Sequence, residues 1–221
     1  LRGADDLIIM PLQCGTQWDS LAHIMFEERM YNGYSADQVS SKGAHKNHIG
    51  MARSDVAGRG VLLDIARYKG VDALEPGYAI TDDDLEGCAR SQGVEVMRGD
   101  FLLVRTGQMG QRRANGWGDY AGGDAPGLGL ASVPWIAEHE VASVSTDTWG
   151  MEVLPNETED VFQPLHIIFI VHMGLLVGEI FDLETIGADC ADDGQYEFLF
   201  CAPPLPITRA VGSPVNPMAI K

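Results

Sequence analysis

The stretch at residues 13–23 (QCGTQWDSLAH) concentrates side chains that can bind a cation and move a proton. On an extended segment, Gln13, Gln17 and Asp19 project to the same side, because successive side chains alternate between the two faces. Three oxygen-bearing side chains that converge on one point suit a hard or borderline cation. His23 follows Asp19 by four residues and could act as a base on a bound water, because imidazole titrates near neutral pH. The same residue types are common in polar turns, so the spacing alone leaves a metal site and a turn both open.

The elements that must position this stretch are short strands mixed with short helices. An apolar run within residues 5–12 predicts a buried strand that leads directly into residues 13–23. Thr81 and the three aspartates after it predict the start of a helix that ends near Gly93, because threonine caps backbone N–H groups and acids favour the positive helix end. Further strands are predicted at 61–65, 100–105, 141–145, 180–186 and 197–202, and further helices at 132–139 and 164–176. This mixture predicts an α/β fold, with one mixed-sheet domain over residues 1–221.

Composition argues against several classes of partner. The chain has 15 Lys and Arg against 32 Asp and Glu, a formal net charge of −17. Such a surface repels phosphate backbones and anionic membranes, so we expect neither a nucleic-acid nor a membrane partner. Four widely spaced cysteines without a CxxC pair favour a reducing cytoplasm. Because the chain opens with Leu1 only a few residues before the 13–23 stretch, we expect that an N-terminal portion is missing.

The 13–23 stretch resembles the H-x-G-T-H-x-D-x-x-x-H signature of the cyclase family, metal-dependent hydrolases that include bacterial kynurenine formamidase and isatin hydrolase. Similar segments follow in family order along most of the chain: GRGVLLD at 58–64, RGDFLLVRTG at 98–107, APGL at 125–128, STDT at 145–148, GEIFDL at 178–183 and PPLP at 203–206. The resemblance implies a swivelling β/β/α-type fold that assembles as a homodimer or homotetramer. It also implies hydrolysis of an amide, lactam or ester in a small-molecule substrate.

The resemblance also assigns roles to individual residues. Asp19 matches the carboxylate that such enzymes place between two metal sites, and His23 matches the catalytic histidine. His166 and Glu179 are similar to the histidine and glutamate that complete the second metal site. The resemblance therefore implies a ligand set of Asp19, His166 and Glu179 with His23 as the acid–base group.

Gln13 and Gln17 depart from the family pattern, because both stand where the signature has a histidine. The first metal site is therefore expected to be degraded, and we expect one divalent ion, Mn²⁺ or Zn²⁺, instead of two. Two neutral amides make the site richer in oxygen, which favours Mn²⁺, Mg²⁺ or Ca²⁺ relative to Zn²⁺. Amides that do not coordinate the ion can still hydrogen-bond a bound water or the substrate carbonyl. Trp18 is expected either to stack on an aromatic substrate or to pack in the core.

Three functions are consistent with the sequence. The leading expectation is a metal-dependent hydrolase of small amides or lactams, similar to arylformamidase. The second is a lactone or ester hydrolase that uses the same site. The third is a family member that binds a ligand without turnover, and the two replaced histidines motivate it.

Overall fold

A mixed β-sheet organises the chain in the computed structural model, which describes residues 2–52 and 54–221. The strands, numbered along the chain, are β1 (Gln17–Asp19), β2 (Val39–Ser40), β3 (Gly43–Ala44), β4 (Ala57–Asp64), β5 (Ala79–Ile80), β6 (Phe101–Arg105), β7 (Gly127–Leu128), β8 (Ser143–Thr146), β9 (Leu176–Glu179), β10 (Glu197–Cys201), β11 (Gly212–Pro214) and β12 (Met218–Ile220). The α-helices are α1 (Ile65–Tyr68), α2 (Asp82–Gln92), α3 (Gln108–Asn115), α4 (Val133–Glu138), α5 (Pro164–His166) and α6 (Glu184–Asp193). A π-helical segment, Ile167–Met173, continues α5.

The main sheet has eight strands in the order β11-β1-β9-β8-β6-β4-β10-β12. The four central strands, β9, β8, β6 and β4, run parallel to one another. The strands β1 and β11 on one side, and β10 and β12 on the other, pair antiparallel. The sheet is therefore mixed, which confirms the predicted α/β fold.

The central strand β6 confirms the strand predicted at residues 100–105. All five of its residues are buried, as expected for a strand covered on both faces of a sheet. Its neighbour β4 contributes Leu62 and Leu63, both completely buried, to the same core. The core anchors the sheet, whose second strand from one edge, β1, carries Asp19.

Helix α2 begins as the sequence predicts. The Thr81 hydroxyl accepts a hydrogen bond from the Asp84 N–H, and the Asp84 carboxylate accepts one from the Thr81 N–H, which forms a capping box. Gly93 ends the helix in the left-handed conformation, with φ 67°. Among the described residues, no helix combines the length and the apolar character needed to cross a membrane.

The strand predicted at residues 5–12 is wrong. Those residues form no strand in the described part of the chain, and Leu7, Ile8 and Ile9 are 87%, 76% and 90% exposed. The prediction rested on a short apolar run, but a strand also needs a neighbouring edge that supplies hydrogen-bond partners. The first strand of the sheet is β1, which begins at Gln17.

The strand predicted at residues 180–186 is also wrong, because it lies too far along the chain. The π-helical segment ends at Met173, and Gly174 leaves it in the left-handed conformation. Strand β9 follows at Leu176–Glu179, and Ile180 then turns the chain with φ 59° before α6 begins. This register makes Glu179 the last residue of a strand.

Candidate metal and catalytic site

Three buried side chains of the types that bind metals meet beside the β1–β9 ladder. One potential ligand atom from each of Asp19, His166 and Glu179 lies within 4.8 Å of the other two. Asp19 ends β1, Glu179 ends β9, and His166 ends α5. All three are at least nine-tenths buried, with exposed fractions of 0%, 3% and 5%. The fold thus brings together the three residues that the family resemblance implies as ligands.

The antiparallel ladder between β1 and β9 sets Gln17 directly opposite Glu179. Nε2 of Gln17 donates a hydrogen bond to Oε2 of Glu179 at 2.9 Å. The other carboxylate oxygen, Oε1, accepts a hydrogen bond from the Met151 N–H at 3.1 Å. Both carboxylate oxygens of Glu179 are therefore held by donors from separate parts of the chain.

Ile180, the residue after Glu179, adopts a left-handed conformation that is strained for a β-branched side chain. Its N–H donates to the Thr148 carbonyl at 3.0 Å, and its carbonyl accepts from the Thr16 hydroxyl at 2.6 Å. These two hydrogen bonds stabilise the turn that ends β9. They fix the backbone from which the Glu179 side chain projects.

His166 lies between two carboxylates. Its Nδ1 is 2.6 Å from Oε1 of Glu152, and its Nε2 is 3.0 Å from Oε1 of Glu179. Burial by itself would lower the pKa of His166, but the two carboxylates outweigh it and raise the pKa to about 10. The sequence did not predict a role for Glu152. Glu152 and His166 are 14 residues apart, and the segment between them is irregular, so no local periodicity relates the two.

The Asp19 carboxylate is the unsatisfied member of the cluster. Neither of its oxygens has a hydrogen-bond partner among the described residues, although both are buried. Burial, and after it the negative charge of Glu179, raise the pKa of Asp19 well above its usual value, and His166 opposes that shift. A buried carboxylate without partners is costly, and a cation beside it would offset that cost. The donor set of two carboxylates and one imidazole therefore fits a divalent ion.

His23 stands at the outer side of the cluster. Its Nε2 is 3.8 Å from Oδ1 of Asp19, and its side chain is 29% exposed. Burial, and then the nearby positive charge of His166, lower the pKa of His23, with Glu179 acting in the opposite sense. The imidazole of His23 is therefore largely neutral at neutral pH and can accept a proton.

The two remaining sequence candidates occupy opposite sides of β1. Gln13 covers Gly212, the residue paired with Asp19, so closely that a Cβ on Gly212 would overlap the Gln13 amide nitrogen. This placement puts Gln13 on the Asp19 face of the sheet. Trp18 points to the other face, where it is completely buried and donates from Nε1 to the Ala202 carbonyl at 2.7 Å. Trp18 therefore packs in the core, on the face of β1 away from the cluster.

A separate pocket of about 340 Å³ opens near the starts of the parallel strands. Its walls include Leu21, Ile49, Phe101 and Leu176. None of Asp19, His166 and Glu179 lines it. The pocket lining includes one imidazole, that of His48, and one carboxylate, that of Asp55. We assign the chemistry to the cluster because two carboxylates and an imidazole converge there.

The fold and the cluster together define a class: a mixed-sheet α/β protein with a buried carboxylate–histidine centre. The family model for Cyclase, described as "Putative cyclase", matches residues 5–153. The chain therefore belongs to the cyclase family. No curated protein matches the chain at a significant level.

Solved structures resemble the whole chain. A crystal structure of a novel cyclase is 39% identical, with a TM-score of 0.93 over 100% of this chain and 74% of that one. Isatin hydrolase A from Ralstonia solanacearum is 20% identical, with a TM-score of 0.66 over 95% of this chain and 72% of that one. A protein from Bacillus stearothermophilus described as a predicted metal-dependent hydrolase is 18% identical, with a TM-score of 0.60 over 95% and 77%. The last two similarities concern the fold.

Proposed function

We propose that this protein is a metal-dependent hydrolase that cleaves an amide or lactam bond in a small molecule, similar to arylformamidase. The observation that carries the proposal is the buried Asp19 carboxylate, whose two oxygens lack partners beside His166 and Glu179. A single divalent ion, Mn²⁺ or Zn²⁺, would satisfy all three side chains. Such an ion, when bound, polarises a carbonyl and lowers the pKa of water.

The protein's own residues would supply the remaining chemistry. Nε2 of His23 accepts a proton from the attacking water and later donates it to the leaving nitrogen as the carbon–nitrogen bond breaks. The lowered pKa of His23 supports this role, because the imidazole must be neutral before it can accept the proton. Gln17 holds Glu179 in place through its hydrogen bond to Oε2.

The similar structures support the choice of an amide or lactam substrate. An isatin hydrolase is among them, and isatin contains a cyclic amide. An ester or lactone would present the same kind of carbonyl to the same residues. The substrate profile must therefore include both classes of bond.

Binding without turnover is a second candidate, and one observation favours it. Nε2 of Gln17 donates a hydrogen bond to Glu179, and the Gln17 amide oxygen has no hydrogen-bond partner among the described residues. These contacts give Gln17 the role of orienting Glu179 and no direct role in catalysis. A site with two neutral amides in place of charged or metal-binding groups could retain a ligand and lack activity. Metal content and turnover separate this candidate from the hydrolase.

The test combines metal analysis with substrate profiling. Purified protein is stripped with a chelator, reloaded with Mn²⁺ or Zn²⁺, and assayed on matched N-formyl, lactam and lactone compounds. We expect one ion per chain and a rate that depends on the added ion. Retention of one ion with no turnover of any compound would favour the binding protein. No bound ion, together with no gain in rate from either metal, would refute the proposed hydrolase.

A further inference from the structure

Glu152 contacts His166 at the ring nitrogen that faces away from the other two members of the cluster. Oε1 of Glu152 lies 2.6 Å from Nδ1 of His166, whereas Nε2 of the same ring is directed at Glu179. Glu152 is 98% buried, so no bulk water competes for this contact. The two nitrogens of one imidazole therefore meet two different carboxylates.

The Glu152 carboxylate is also fixed by the backbone around it. Its Oε1 accepts the His166 N–H at 3.1 Å, so one oxygen contacts both the ring and the main chain of the same residue. Its Oε2 accepts the Leu165 N–H at 3.2 Å and the Asn156 side-chain amide at 3.3 Å. All four contacts are with donors, or with a ring nitrogen that can donate. Both oxygens of Glu152 therefore act as acceptors.

Because Oε1 of Glu152 already accepts the His166 N–H, it favours the arrangement in which Nδ1 of the ring donates to it as well. Nε2 lies on the side of Asp19 and Glu179, where it would bind an ion once the proton it holds toward Glu179 is displaced. A carboxylate partner of this kind also restrains the ring and raises the basicity of the ligating nitrogen. The same contact could instead serve only to cap the helix that starts at Pro164.

We propose that Glu152 is a positioning residue that orients the His166 ring, so that Nδ1 donates to Glu152 and Nε2 faces the ion. This inference rests on the proposed function, because it presupposes an ion at the Asp19–His166–Glu179 cluster. A role limited to helix capping would stabilise the protein but would leave the ion affinity unchanged. The two roles are therefore separable by experiment.

The first measurement uses the unmodified protein loaded with Zn²⁺. Nitrogen-15 NMR of the histidine rings distinguishes a protonated ring nitrogen from one bound to the metal. We expect His166 to carry its proton on Nδ1 and the zinc ion on Nε2. The reverse assignment, or a bound zinc ion that does not contact His166, would overturn the inference and leave the hydrolase proposal in place. If the protein binds no ion at all, the proposed function fails first and this inference falls with it.

The second measurement is the ion affinity of Glu152→Gln, compared with that of Glu138→Gln as a matched control. The glutamine side chain has one accepting oxygen, whereas both oxygens of Glu152 face donors. The NH₂ group of the glutamine must therefore face the donors that surround one of the two Glu152 oxygens. We expect Glu152→Gln to bind the ion about 10–100-fold more weakly, the usual cost of losing a partner behind a metal ligand. Glu138 is exposed, and its variant should match the unmodified protein. A folded Glu152→Gln protein with unchanged affinity would contradict the proposal.

Asn156→Ala keeps the inference testable if Glu152→Gln does not fold. This variant removes one donor from Oε2 and leaves both contacts between Glu152 and His166 intact. We expect the protonation of His166 in the zinc-loaded variant to match that of the unmodified protein. If the proton moved from Nδ1 to Nε2 in this variant, the contact with Glu152 would not be sufficient to orient the His166 ring. That result would overturn the inference.

Discussion

Gln17 and Glu179 are 162 residues apart in sequence and face each other across the β1–β9 ladder, joined by a hydrogen bond of 2.9 Å. The Gln17 amide is thus committed to orienting a candidate ligand. We expect Gln17→Ala to lower the free energy of unfolding by about 1–3 kcal/mol, because it leaves one buried oxygen of Glu179 without its donor. Chemical denaturation of the metal-free protein measures this change. An unchanged midpoint and slope would show that the hydrogen bond contributes little.

Asp19→Asn should act in opposite directions on stability and on ion binding. The pKa of Asp19 is raised, so ionisation of this carboxyl disfavours the folded protein above the ordinary pKa of an aspartate. The neutral amide removes that cost, and we expect the metal-free variant to melt at a higher temperature than the unmodified protein at pH 7. An ion at 100 times its Kd stabilises the folded protein by about 2.7 kcal/mol and so raises the melting temperature. The same variant should lose this ion-dependent increase.

Calorimetry with and without a chelator tests both effects of Asp19→Asn. The unmodified protein serves as the reference in each condition. A metal-free variant that is less stable than the reference would contradict the inferred cost of the buried charge. An ion-dependent rise in melting temperature that survives the substitution would remove Asp19 from the ligand set.

His23→Ala should reduce turnover by about 10²–10⁴-fold, the range typical of a positioned acid–base group. The ion content should not change, because Nε2 of His23 lies 3.8 Å from Asp19 and outside the ligand cluster. His172→Ala is the matched control, since His172 is exposed and contacts the Phe26 ring. Steady-state kinetics on the best substrate from the profile gives the comparison. Equal kcat for His23→Ala and the unmodified protein would exclude His23 from proton transfer.

Asp84 should contribute to stability in a way that depends on pH. Burial alone would raise its pKa, but hydrogen bonds from Lys69, the Thr81 N–H and Tyr78 together lower the pKa below 3.8. A carboxyl whose folded-state pKa is depressed stabilises the protein above its ordinary pKa, and this contribution is lost as the pH falls through the depressed value. We therefore expect Asp84→Asn to be less stable than the unmodified protein at pH 7 and the difference to shrink below about pH 4.

Thermal unfolding between pH 2.5 and 7 measures the Asp84 effect. Asp83→Asn is the control, because Asp83 occupies the same first turn of α2 but is exposed. The melting temperature of Asp83→Asn should match that of the unmodified protein at every pH. A constant difference between Asp84→Asn and the unmodified protein across the whole range would argue against the depressed pKa.

The exposed apolar run at Leu7, Ile8 and Ile9 bears on the expected assembly. An exposed apolar segment is typical of an interaction site, and the family resemblance implies a homodimer or homotetramer. We expect light scattering to give a mass of two or four times 23.9 kDa. A triple substitution of these residues by serine should shift the distribution toward the monomer. A single-chain mass for the unmodified protein at micromolar concentration would contradict the expected assembly.

Several features could be read from the sequence because their determinants are local or lie in contiguous motifs. The capping residues Thr81 and Asp84 lie three positions apart and specify the start of α2 by direct hydrogen bonds. The apolar run of β6 likewise predicts a buried strand within one residue of its observed bounds. The motif at residues 13–23 indicated Asp19 and His23 as candidates. The resemblance of short segments to those of the family supplied His166 and Glu179.

Only the tertiary structure decided which distant residues meet. Glu152 reaches Nδ1 of His166 because the irregular chain after β8 folds back onto the start of α5, and no periodicity encodes that path. The bond between Gln17 and Glu179 depends on the register of β1 against β9, which is a property of the pair and not of either strand. The apolar run at Leu7 has strand-like composition but meets no sheet edge, so it stays unpaired. Local propensity can specify an element, whereas its partners depend on how the whole chain packs.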